Sequence, residues 1–176
     1  MRYKTKDIGD AGLQISVPVS AGWLAAECPG VDLRPADAGI TLEGRLEHSG
    51  GDTYLLRGDL RGAVLTPCGR CLEPALVPID VPLTVTYVET DEGQEEEVED
   101  TSDGGEVLGF SGGVIDLGPE IRDEILLAIP IASYCRPDCA GICPVCAGNR
   151  NVTPCDCEEE QRRAASKLAA LKDLKI

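Results

Sequence analysis

Six cysteines between Cys135 and Cys157 constrain this chain more than any other feature. They stand as Cys135, Cys139, Cys143-Pro-Val-Cys146 and Cys155-Asp-Cys157, and a further pair, Cys68-Gly-Arg-Cys71, lies far upstream. Two thiolates separated by two residues can turn back and aim both sulfurs at one tetrahedral ion. Pro-Val or Gly-Arg between them suits the tight turn, since Pro presets one backbone angle and Gly removes a Cβ clash. Thiols that merely fill space would not stand at such spacings. Cys28, with no thiol near it, is expected as a small core residue.

Counting ligands gives two sets of four. Cys143, Cys146, Cys155 and Cys157 make one; Cys68, Cys71, Cys135 and Cys139 make the other. A closed set of four thiolates leaves no position for water, which is the pattern of structural rather than catalytic zinc. The expected cofactor is therefore Zn2+, in one or two structural sites. An iron–sulfur cluster also takes four thiolates, but the acidic surroundings and the lack of a partner-enzyme signature argue against it. A redox-active Cys68-x-x-Cys71 would want a strand-to-helix setting with an aromatic neighbour, whereas a strand-like run follows it here.

The opening Met1–Asp7 lacks the apolar run of an export signal, and no 18 apolar residues stand together. A cytoplasmic, reduced setting without a membrane partner follows, in which clustered cysteines are metal ligands or catalytic thiols. The formal net charge of −15 repels phosphate backbones on average and favours basic partners. Aromatics are only 3% of the chain, so its core must come from Val, Leu, Ile and Ala.

In order, residues 1–39 form an N-terminal segment with a short alternating run at Leu13–Val17. Ile40, Leu42, Gly44 and Leu46 alternate with polar residues, and a Gly-rich turn at 48–52 leads into Tyr54–Val64, which predicts a hairpin. Gly58 and Gly62 suggest a bulge or close approach of a strand. Leu76–Val88 reads as a strand, at an edge or bent because of Pro78 and Pro82. In residues 89–103 nine of fifteen are acidic and none is basic, the composition of a disordered solubilising loop, or else of a mimic of nucleic-acid charge. Asp116 or Gly118 could cap a helix over 120–129, with Pro119 in its first turn and Pro130 ending it. The expected fold is α+β: an antiparallel β-sheet domain over 40–134 with one packed helix, a cysteine-rich zinc module over 135–157, and a C-terminal helix over 158–176.

Nothing else in the chain carries chemistry. His48 is the single histidine and sits in the Gly-rich turn. Gly-x-Ser-x-Gly, His-Glu-x-x-His and phosphate-cradling loops are missing, so a non-enzyme without an evident small-molecule substrate is expected. The alternative is a zinc- or thiol-dependent oxidoreductase.

Pro67-Cys68-Gly-Arg-Cys71-Leu-Glu-Pro74, Ile115-Asp116-Leu117 and Ile121-Arg-Asp-Glu124 through Pro130 are followed by Cys135, Cys139-Ala-Gly-Ile-Cys143-Pro-Val-Cys146, Asn149, Asn151 and Cys155-Asp-Cys157. In that order they resemble the YceD family of large ribosomal RNA subunit accumulation proteins. The resemblance implies a factor that supports 23S rRNA accumulation and large-subunit assembly. Its partner would be a basic large-subunit ribosomal protein, held on the acidic surface, or the 23S rRNA itself, met through Arg136, Arg150, Arg162, Arg163 and Lys167. Scarce aromatics and the net charge favour the protein partner. The chain departs from the family at Ala147, where Gly normally follows the cysteine, and lacks the usual Asp-Pro-Arg start to the last helix.

Overall fold

The computed structural model describes residues 1–91 and 106–165. Most of the acidic run at 89–103, and the expected last helix beyond Ala165, lie outside the described residues. The chain divides into two compact units, Met1–Thr66 with Leu76–Ile131, and Pro67–Ala75 with Ala132–Ile176.

The first unit is built on a five-stranded sheet of order β2-β3-β4-β5-β6. Its strands are β2 (Leu13–Pro18), β3 (Arg34–Gly50), β4 (Thr53–Pro67), β5 (Pro74–Glu89) and β6 (Glu106–Phe110). β1 (Arg2–Lys4) pairs with β7 (Val114–Asp116) as a separate antiparallel ribbon. The alternation that predicts the hairpin is the burial pattern of β3: Ile40, Leu42 and Leu46 are buried, and Leu42 and Leu46 face Leu60 and Leu56 of β4 in antiparallel register.

Glycine sets the close approach within this hairpin. Gly44 lies opposite Gly58 in the register. A Cβ on Gly44 would sit 2.5 Å from the Arg57 carbonyl oxygen, and one on Gly58 2.6 Å from that of Glu43. Gly62 meets the Gly39 carbonyl in the same way and holds φ at +147°.

β5 is not an edge strand, because it stands between β4 and β6. β6 pairs only with Val85–Glu89, so among the described residues the stretch holding Pro78 and Pro82 has one side unpaired. An imino nitrogen costs no ladder bond there. The β5–β6 pairing is parallel, a departure from a wholly antiparallel sheet.

Among the described residues, two α-helices belong to this unit. Ser20 caps α1 (Ala21–Glu27) by accepting the Trp23 N–H at 3.2 Å, and Leu24 is fully buried. α2 (Gly118–Ala128) has Leu117 as N-cap with no side-chain cap. Asp116 lies one residue too early for that position, and accepts the Gly118 N–H at 3.0 Å. Ile121 and Ile125, one turn apart, are fully buried. They join a core of Leu, Ile and Val with Cys28, Tyr87 and Phe110.

Among its described residues the second unit has little regular structure: one isolated bridge, Ile142 to Asn149, and the helix α3 (Cys157–Ala165). Its buried cluster is Cys68, Cys71, Ala75 and Cys139, with Cys135 and Ile142 packed against it. Three of those four buried residues are cysteines, so apolar burial alone holds this unit weakly.

Candidate metal centres

Two copies of one turn initiate the centres. In Cys68–Glu73 the Leu72 N–H donates to the Cys68 carbonyl at 3.0 Å and the Cys68 N–H to the Glu73 carbonyl at 2.8 Å. In Cys143–Gly148 the Ala147 N–H donates to the Cys143 carbonyl at 2.9 Å and the Cys143 N–H to the Gly148 carbonyl at 2.8 Å. In both turns the N–H two residues on, from Arg70 or Val145, points at the first sulfur from 3.4 Å. The turn is closed by a residue of positive φ, Leu72 at 65° and Ala147 at 57°. Ala147 thus adopts the left-handed conformation for which glycine is the usual solution.

Each turn meets a second pair of thiols. The sulfurs of Cys68, Cys71, Cys135 and Cys139 all lie within 4.8 Å of one another, and so do those of Cys143, Cys146, Cys155 and Cys157. Each group could hold a metal ion. Cys68 to Cys139 is 3.9 Å, Cys71 to Cys135 3.5 Å and Cys146 to Cys155 3.7 Å. A disulfide needs about 2 Å, and all nine cysteines are free. A tetrahedron with metal–sulfur bonds of about 2.3 Å has edges of about 3.8 Å. The donor set therefore fits one tetrahedral cation per group.

Ionisation within the groups points the same way. Burial opposes a thiolate at Cys68, but main-chain N–H groups of Cys135, Arg70 and Cys71 outweigh it and bring the thiol down to about 6. The N–H groups of Cys146 and Val145 bring Cys143 down to about 6. Burial and the neighbouring sulfurs push Cys135 up to about 12, while Cys146 and Cys155, ahead of burial, do the same to Cys157. The first thiolate in each group forms readily and the last is opposed by those already charged. A divalent cation among the sulfurs removes that opposition.

The surroundings fix the sulfurs further. Arg70 lies over the Tyr134 ring at 4.4 Å and donates to the carbonyls of Pro137 and Cys139 at 3.3 and 3.1 Å. The Asn151 amide donates to the Cys139 sulfur at 3.3 Å, and the Arg150 guanidinium to the Cys143 sulfur at 3.6 Å. Glu158, followed by Cys143 and Cys155, holds Arg150 more firmly protonated. Arg136 donates to the Asn151 side-chain oxygen at 2.5 Å and pairs with Asp138 at 3.5 Å. The sequence offers Arg136 and Arg150 as contacts for RNA, and the structure engages both within the unit. The signal for their engagement is their place among the cysteines, Arg136 next to Cys135 and Arg150 four residues after Cys146. Beside this cluster a cavity of about 510 Å³ is lined by Arg150, Cys155, Glu158 and Arg162 among others.

The family model for the large ribosomal RNA subunit accumulation protein YceD matches residues 56–175, both turns and both groups of four cysteines included. The chain belongs to the YceD family. It is 32% identical over 118 residues to a protein of Mycobacterium tuberculosis described as uncharacterized, covering 66% of this chain and 55% of that protein. It is 29% identical over 139 residues to the chloroplastic large ribosomal RNA subunit accumulation protein YCED homolog 1 of Zea mays, covering 64% of this chain and 47% of the maize protein. This YceD chain thus spans about half the length of the curated relatives it matches. No solved structure matches it. The family name supports a role in ribosome biogenesis. Among the described residues no helix is long and apolar enough to cross a membrane.

Proposed function

We propose that this YceD chain is a non-enzymatic, cytoplasmic factor for 23S rRNA accumulation that works by holding a basic protein of the large ribosomal subunit. Cys68, Cys71, Cys135 and Cys139 would hold one structural Zn2+, and Cys143, Cys146, Cys155 and Cys157 a second. Four thiolates on tetrahedral edges suit zinc. A multi-iron cluster interposes several metal atoms between its thiolates and spreads them wider. With all four donors from protein, neither ion has a position for substrate, which favours a structural over an oxidoreductase role.

The division of charge carries the partner. The first unit holds 24 acidic against 8 basic residues, and the second 7 against 8. A unit so acidic attracts a basic protein and repels RNA. The second unit, nearly balanced, spends Arg136 and Arg150 on its own cysteine surroundings.

The test is capture of the tagged chain from native cells, with and without RNase. The proposal expects a basic large-subunit protein to stay bound after RNase at physiological salt. Loss of all partners with the RNA, and 23S crosslinks near Cys135–Lys167, would overturn it in favour of direct RNA binding. Rapid loss of metal to a chelator with fast thiol alkylation would favour the oxidoreductase.

A further inference from the structure

The two groups of cysteines share one piece of chain. Ile142 packs on the first cluster and its N–H donates to the Arg70 carbonyl at 2.9 Å, inside the first turn. The next residue, Cys143, is the first thiol of the second group. Opposite them runs Asn149-Arg150-Asn151. Asn149 forms an antiparallel bridge with Ile142, and the Arg150 N–H donates to the Gly141 carbonyl at 2.9 Å.

From that tripeptide the side chains diverge. Asn151 donates to Cys139 in the first group, and Arg150 donates to Cys143 in the second. Both are held in those orientations. The Asn151 oxygen accepts the Ala140 N–H at 2.8 Å and the Arg136 guanidinium, which turns its amide nitrogen to the sulfur. That amide also donates to the Asn149 side chain at 2.9 Å, and Glu158 Oε2 takes Arg150 at 3.0 Å.

We infer that Asn149, Arg150 and Asn151 couple the two centres, so that metal held by either group tightens the hold of the other. The inference rests on the proposed metal occupancy. A metal fixes each sulfur in one place and keeps it from accepting a proton, so an N–H aimed at it has a fixed acceptor. Cys139 held in place anchors Asn151, and with it the backbone that places Arg150 at Cys143. Cys143 held in place anchors the same backbone from the other end. Coupling of this kind is reciprocal, with a factor on the order of tenfold.

Cobalt(II) ion provides the probe, through its absorption when bound by thiolates. The affinity of the second group is measured by chelator competition in the intact chain and in Cys71→Ser/Cys135→Ser, then in both again with Asn151→Ala, while Trp23 fluorescence reports the first unit's folding. Removing the first group should weaken the second about tenfold, and by less than about threefold once Asn151→Ala is present. Equal affinity in the first two chains, or an undiminished loss with Asn151→Ala, would overturn the coupling while leaving the metal reading intact. Absence of thiolate–cobalt absorption in the intact chain would overturn the metal reading, and the coupling with it. Asn151→Ala alone keeps all eight candidate ligand cysteines. Its singly loaded fraction in native mass spectra should exceed that of the wild type, and an unchanged fraction would count against the coupling.

Discussion

Leu72 and Ala147 occupy the same place in two copies of one turn. Each follows a Cys-x-x-Cys pair, and each holds a positive φ, 65° and 57°. Their N–H groups close the turns onto Cys68 and Cys143. The hydrogen bonds that close each turn dictate this backbone, and a side chain there works against it.

Glycine at either position should therefore stabilise the protein. Left-handed backbone costs an L-residue about 1–2 kcal/mol, partly offset by the freedom glycine adds to the unfolded chain. Leu72 is 68% exposed, so its side chain contributes little packing. Leu72→Gly and Ala147→Gly should each add about 0.5–1 kcal/mol in denaturant unfolding of the metal-loaded protein. A fall in stability would show that these residues have another role.

Metal removal should act on one unit. The second unit's buried cluster is mostly cysteine, whereas the first has its own apolar core. A chelator with reductant should abolish amide-exchange protection in 132–157 and preserve it in β3 and β4. Equal loss in both would show that the sheet depends on metal.

The Gly44–Gly58 contact should tolerate no methyl group. Gly58→Ala would bring Cβ to 2.6 Å from the Glu43 carbonyl oxygen and force the strands apart. The expected loss is about 1–3 kcal/mol by thermal unfolding followed with circular dichroism. The same change at Gly50, where nothing lies within 4 Å, is the control for backbone strain alone, since its φ is +108°.

Acid should weaken the first unit through Asp116. Burial opposes its charge, but Arg2, the Gly118 N–H and the Met1 ammonium outweigh that and bring the carboxyl down to about 2. A folded value below the unfolded one of about 3.9 contributes stability that is fully present above that unfolded value. It is lost as pH falls from about 4 towards 2. Asp116→Asn should flatten the midpoint-against-pH curve over that window, read by Trp23 fluorescence. An unchanged slope would remove Asp116 as its source.

What the sequence makes legible depends on how local the signal is. The hairpin of β3 and β4 is plain because Ile40, Leu42 and Leu46 alternate with polar residues before a Gly-rich turn that leads into a second apolar run. The cysteine pairs stand out because their spacing already defines a turn. The β1–β7 ribbon involves three residues on each strand at opposite ends of the first unit's sequence, too short for a periodicity. The parallel partner of β5 follows an acidic run that masks its pattern. Asn151 and Arg150 could be placed near sulfur, but which thiol each faces depends on the fold of the intervening chain.

The two centres also differ in when a ribosome could complete them. The second draws its ligands from Cys143 to Cys157, which emerge almost together. In the first, Cys71 and Cys135 are 64 residues apart. At about 5–20 residues per second, the upstream thiols wait roughly 3–13 s for their partners. During that interval Cys68 and Cys71 would offer half a coordination sphere, open to oxidants and to competing ions. The nascent chain is thus most vulnerable at its earlier pair, and because Cys139 emerges before Cys143 the spread-out centre still completes its ligand set before the compact one begins.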